Sequence, residues 1–178
     1  MIGGFRAIFA AAMLALGAFA AVPASAGVLQ CVPFARQISG IDIHGNAHTW
    51  WDQASGRYQR GQEPRVGAVL AFASSRRMPV GHVAMVSKVV SDREVLLTHA
   101  NWSYRGGIER NVRAIDVSAA GDWSQVRVWY GPIGDIGLRS NPAHGFIYAD
   151  RAEPVAAPVL LASAEGVATG QPAPRTGL

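Results

Sequence analysis

The chain holds one cysteine, Cys31, and five histidines, His44, His48, His82, His99 and His144, among 178 residues. A lone thiol cannot close an internal disulfide. It is a buried small hydrophobe, half of an intermolecular bridge, or a reactive group. Its neighbours favour reactivity. Cys31 to Ile38 fits one or more helical turns that start at the cysteine, with Gly40 as the stop. Pro33 is tolerated there because it falls in the first turn, where its missing N–H would be unpaired anyway. A helix N-terminus favours an anion, so it lowers a thiol's pKa. The same free N–H groups could receive the oxyanion of a tetrahedral intermediate.

A cysteine nucleophile needs a base. Val80 to Val90 and Glu94 to Trp102 are rich in β-branched and apolar residues, with Ser91-Asp92 as a tight turn between them. Alternation puts Val80, His82, Ala84 and Val86 on one face of the first strand. It puts Val95, Leu97, His99 and Asn101 on one face of the second. Closing the hairpin sets His82 across from a position near 99 to 101, and opposed residues stand about 5 Å apart. His82 as base with His99 or Asn101 as the orienting group is then reasonable. The orienting group would hold the imidazole's tautomer.

The remaining elements are read from the same cues. Thr49 to Ala54 suits a short helix, and 55 to 65 is polar and reads as a loop. Val66 to Ala73, Ile108 to Val117 and Gln125 to Tyr130 suit further strands. The expected fold class is α+β.

Gln30-Cys31, Gly45-Asn46-Ala47-His48-Thr49-Trp50, Gly81-His82-Val83-Ala84-Met85-Val86 and His99-Ala100-Asn101-Trp102 together resemble the CHAP family. That family lies within the papain-like NlpC/P60 superfamily of cysteine amidases and peptidases. The resemblance covers about residues 28 to 135. It implies a papain-like fold, with an N-terminal helix carrying the cysteine packed on an antiparallel sheet. It also implies Cys31, His82 and the His99/Asn101 pair as catalytic residues, with His99 as orienter and Asn101 in support. Many CHAP relatives have an acidic residue where His99 stands, and histidine there is similar to the NlpC/P60 branch. Gln30, Trp50 and Trp102 are the expected substrate contacts. Ala68 replaces the acidic residue of the family's Gly-Asp-Val step, and no calcium loop is evident.

The ends differ from the middle. Residues 1–26 read as a secretory signal peptide. Arg6 comes first, then the apolar run Ile8 to Ala20, then Ala24-Ser25-Ala26 as a cleavage site. The run is short of the roughly 20 residues a spanning helix needs. Gln30 before Cys31 argues against a lipid anchor. Residues 27–149 are expected to form the domain and 150–178 an Ala/Pro-rich flexible tail. The formal net charge is +4, and losing Arg6 with the signal leaves 15 − 12 = +3, which suits an anionic polymer without requiring one. No dense Lys/Arg run, zinc-finger spacing or basic helix is present, so no nucleic-acid partner is expected.

The expected function is an exported cysteine amidase or endopeptidase acting on peptidoglycan, in the periplasm or outside the cell at the wall. No cofactor, no required metal and no stable membrane insertion after signal cleavage are expected. His44 and His48 are too weakly spaced to count as a metal pair. Rival readings are a catalytically silent wall-binding protein of the same fold, a peptidase or acyltransferase on another substrate, and a metal-binding or redox protein.

Overall fold

The computed structural model describes residues 27–151. The segment read as a signal peptide and most of the expected tail lie outside them. Helix α1 spans Cys31–Ser39. Gly40, at φ 74°, closes it by donating its N–H to the Arg36 carbonyl at 3.1 Å. A 3-10 turn, Ala47–Thr49, runs into the short helix α2, Trp50–Ala54. Eight strands make up the rest: β1 Tyr58–Gly61, β2 Val69–Phe72, β3 His82–Ser91, β4 Glu94–Ala100, β5 Ile108–Asp116, β6 Gln125–Tyr130, β7 Asp135–Ile136 and β8 Asn141–Arg151.

The sheet order is β1-β8-β2-β3-β4-β5-β6-β7, and every pairing is antiparallel. β8 also pairs with β6 through Gln125–Pro142 and Val126–Asn141. That second pairing joins β2, β3, β4, β5, β6 and β8 into a closed barrel. Alternation then sorts the side chains into two apolar layers. Leu70, Phe72, Ala84, Val86, Leu97 and Phe146 fill the interior. Val69, Ala71, Val83 and Ile147 face outward beneath Ala35 of α1, Trp50 and Ala54 of α2, and the linker residues Ile41 and Ile43.

Two expectations need correction. Residues 58–61 form an edge strand where a loop was expected. β8 lies where no strand was expected, and it runs through the domain end placed at 149. His144, on β8, stacks on Trp51 with ring centroids 5.7 Å apart. The strand has no clear signal in sequence because β8 is held by its partners β1, β2 and β6, and its own pattern is interrupted by Pro142 and Gly145.

Gly81 fixes how the chain enters β3. It sits at φ +69°, and a Cβ there would lie 2.6 Å from the His48 backbone nitrogen. That nitrogen donates to the Val80 carbonyl at 2.9 Å. Left-handed strain and backbone collision therefore add. Gly81→Ala is expected to destabilise the fold by about 2 kcal/mol or more. Urea denaturation checks this, and a loss under about 0.5 kcal/mol, the level of an ordinary surface substitution, would contradict it.

Candidate active site

Gln30 is the N-cap of α1, with extended backbone and no side-chain cap. Its amide is used elsewhere: Nε2 donates to the Val28 carbonyl at 3.1 Å, and Oε1 accepts from Asn101 Nδ2 at 2.8 Å. The first N–H groups of α1 are thus not taken by a capping side chain. The Cys31 thiol lies against the β3 backbone and receives the Val83 N–H, with the N–H groups of Val32 and Cys31 also directed to it. Burial pushes the thiol up from its ordinary pKa, and these N–H groups offset only part of the rise. The expectation that the helix N-terminus lowers the resting thiol's pKa is therefore corrected: desolvation outweighs the backbone donors.

His82 opens β3, one residue before Val83. Its register partner on β2 is Phe72, and its ring turns into the barrel mouth with 4% of the residue exposed. His82 Nε2 meets His99 Nδ1 at 2.9 Å. Among the described residues His82 Nδ1 takes no hydrogen bond. Trp102 and Phe72 wall the ring, with centroids 4.9 and 5.8 Å away. Burial holds His82 well below its ordinary 6.5, and the neighbouring His99 lowers it further. Burial also takes His99, 1% exposed, down to about 4. At neutral pH both imidazoles are uncharged.

His99 has a second neighbour that the sequence reading missed. Its register partner on β5 is Glu109, and His99 Nε2 stands 3.5 Å from Glu109 Oε2. That distance is too long for a formed hydrogen bond, and Nε2 has no other partner. Glu109 is itself held by the β4–β5 loop. Ser103 Oγ donates to Oε1 at 2.6 Å, and the Ser103 N–H donates to Oε2 at 3.1 Å. Residue 109 falls within a strand expected from sequence, but only a fixed β4–β5 register could have placed it beside His99.

The other expected site residues separate. Asn101 lies past the end of β4 at φ 61°, so strand alternation no longer governs it. It donates to Gln30 and accepts the Gly106 N–H at 2.8 Å, tying the β4–β5 loop to the N-terminus of α1. Trp102 packs over both histidines and donates Nε1–H to the Trp129 carbonyl at 3.0 Å. Trp50 is 0% exposed, among the residues packed between the sheet and its helices. It is a packing residue, so its expected role as a substrate contact is withdrawn. His44 bonds Asp42 at 2.9 Å, and the His48 ring nitrogen Nδ1 is buried without a partner. Among the described residues no group of three or more His, Cys, Asp and Glu side chains is placed to hold a metal ion.

The geometry therefore offers a thiol beside the strand that carries a neutral imidazole. A second imidazole backs the first, and a fixed carboxylate stands behind the second. The CHAP domain family model matches residues 22–101 of the chain. Cys31, His82, His99 and Asn101 all fall inside the match. Strands β5, β6 and β8, which complete the barrel, lie beyond it. No curated protein matches the chain.

Proposed function

We propose, with the CHAP domain at residues 22–101 as premise, that this chain is a papain-like cysteine amidase or endopeptidase that cleaves peptidoglycan. One observation carries the reading. The only thiol in the chain stands at the start of α1 and takes the N–H of Val83, the residue that follows His82 on β3, and His82 is buried against His99.

The chemistry follows from the neutral resting site. As Sγ attacks the amide carbonyl, its proton moves to His82 Nδ1. For Nδ1 to accept, Nε2 must carry hydrogen and donate it to His99 Nδ1. This use of the pair makes His82 the base and His99 its orienter. The Cys31 and Val32 N–H groups at the start of α1, directed to the resting thiol, turn to the oxyanion and stabilise it. The C–N bond then breaks, and the imidazolium protonates the departing amine. Water attacks the thioester, giving up its proton to His82. The acid leaves and the thiol is restored. Residues 1–26 have the order of charge, apolar run and small residues expected of an export signal, which would bring the enzyme to the wall. Gln30 and Trp102, at the rim of the site, are the proposed substrate contacts.

Digestion of purified peptidoglycan tests this. The chain is expected to release soluble fragments whose masses identify one cleaved amide, and Cys31→Ala is expected to release none. Fragment release by both proteins would remove Cys31 from the chemistry. Binding to the polymer without cleavage by either would favour a silent wall-binding protein, a reading that the burial-raised thiol pKa keeps open.

A further inference from the structure

Glu109 lies past the segment matched by the family model, and the mechanism above gives it no part. It is nonetheless a carboxylate facing an unpartnered buried donor. Its side chain is 10% exposed, and the His99 side chain is 0% exposed. A polar group left uncompensated at that depth is costly. Two donors from Ser103 anchor the carboxylate, and the Gly131 N–H donates to Ser103 Oγ at 2.9 Å.

Proton placement makes the position consequential. A base at His82 Nδ1 requires hydrogen on His82 Nε2, and so a bare His99 Nδ1. The hydrogen of His99 is then on Nε2, 3.5 Å from Glu109 Oε2. A carboxylate can only accept when ionised. It favours this tautomer of His99 and, through it, the working tautomer of His82. When His82 gains the thiol's proton, the same carboxylate supplies a counter-charge two rings away. The titratable groups facing His99 are His82 from β3 and Glu109 from β5, and the Cys31 thiol stands by Val83 on the outer side of β3.

We propose that Glu109 is a positioning residue of the catalytic relay, setting the tautomers of His99 and His82 and balancing the charge that develops on them. The inference rests on the cysteine-hydrolase reading for its purpose, but its geometry can be tested without a substrate.

Glu109→Gln is a close probe. Both protons donated by Ser103 constrain the new amide. Its oxygen stays where the Ser103 N–H and His99 face it, and its NH2 can donate to Ser103 Oγ. Shape is kept and charge is lost. Imidazole nitrogen NMR of the full chain should show hydrogen on Nε2 of both His82 and His99 at pH 7. In Glu109→Gln the protonation midpoint of the pair should fall by about one unit, because an opposite charge has been removed. On peptidoglycan, kcat should fall about tenfold with KM within about twofold, and the acid limb of the pH profile should move down with the midpoint. Ser103→Ala, which keeps the carboxylate, should lower thermal stability and leave the midpoint in place. Hydrogen on His99 Nδ1 in the native chain would overturn the proposal. So would an unmoved midpoint in Glu109→Gln, or an equal shift in Ser103→Ala. A native chain that shows the expected tautomers and shift yet never cleaves the polymer would instead sink the proposed function and leave this relay standing.

Discussion

His82→Ala is expected to lower the rate of amide cleavage by about 10³-fold, within the range attributed to one general acid–base group. The size follows from the resting site. Burial raises the Cys31 thiol and depresses both imidazoles, so no thiolate–imidazolium pair waits for substrate. The proton must leave Sγ during attack, and His82 is the base that the fold presents. Removing it should lower kcat and leave KM nearly unchanged, because the ring is buried between Phe72, Trp102 and His99. The double variant with Cys31→Ala should be no slower than Cys31→Ala alone, as expected for residues acting as a unit. Steady-state kinetics on isolated fragments measures both. A loss under about tenfold would mean that another group takes the proton.

The second large effect is on stability. His99 has a folded pKa of about 4 against an ordinary 6.5, and His82 is also well below 6.5. As pH falls through 6.5 the unfolded chain binds protons that the folded chain refuses. Unfolding is therefore favoured progressively down to the folded-state value. Stability is complete above about pH 6.5 and is lost toward pH 4. His99 alone accounts for on the order of 3 kcal/mol, with one pKa unit worth about 1.4 kcal/mol. Urea midpoints at pH 7, 5.5 and 4.5 read the slope directly. His99→Gln should flatten it, even if the variant is less stable at pH 7. A flat native profile across that range would show that the imidazoles are not buried as neutral groups.

Much of the site was legible because it depends on short-range rules. A cysteine followed by Pro33 and closed by Gly40 marks a helix start. A turn at Asp92-Arg93, one residue from the expected Ser91-Asp92, pairs Met85 with Thr98 and Val86 with Leu97. That register carries His82 and His99 to one end of the barrel. Where the strand rule stops, the reading fails. Asn101 was assigned by alternation, but its positive φ takes it out of β4 and onto Gln30. Trp50 offered no pattern to tell a groove wall from a buried side chain. β1 was missed because Gln59 and Arg60 are polar and exposed, and only Tyr58 is buried. β8 was missed because two of its three partner strands, Tyr58–Gly61 and Val69–Phe72, lie more than 70 residues away in sequence. Glu109 belongs to the same class. Its meaning comes from standing opposite His99, a fact of register and not of spacing.

Interception of the acyl-enzyme by hydroxylamine tests the central claim most directly. Peptidoglycan fragments would be digested with and without hydroxylamine, and the new carbonyl ends examined by mass spectrometry. A thioester on Cys31 predicts hydroxamate ends with the native chain, in proportion to hydroxylamine, and none with Cys31→Ala. Free acids alone, at an undiminished rate, would mean that water attacks the amide directly and that Cys31 is not the nucleophile.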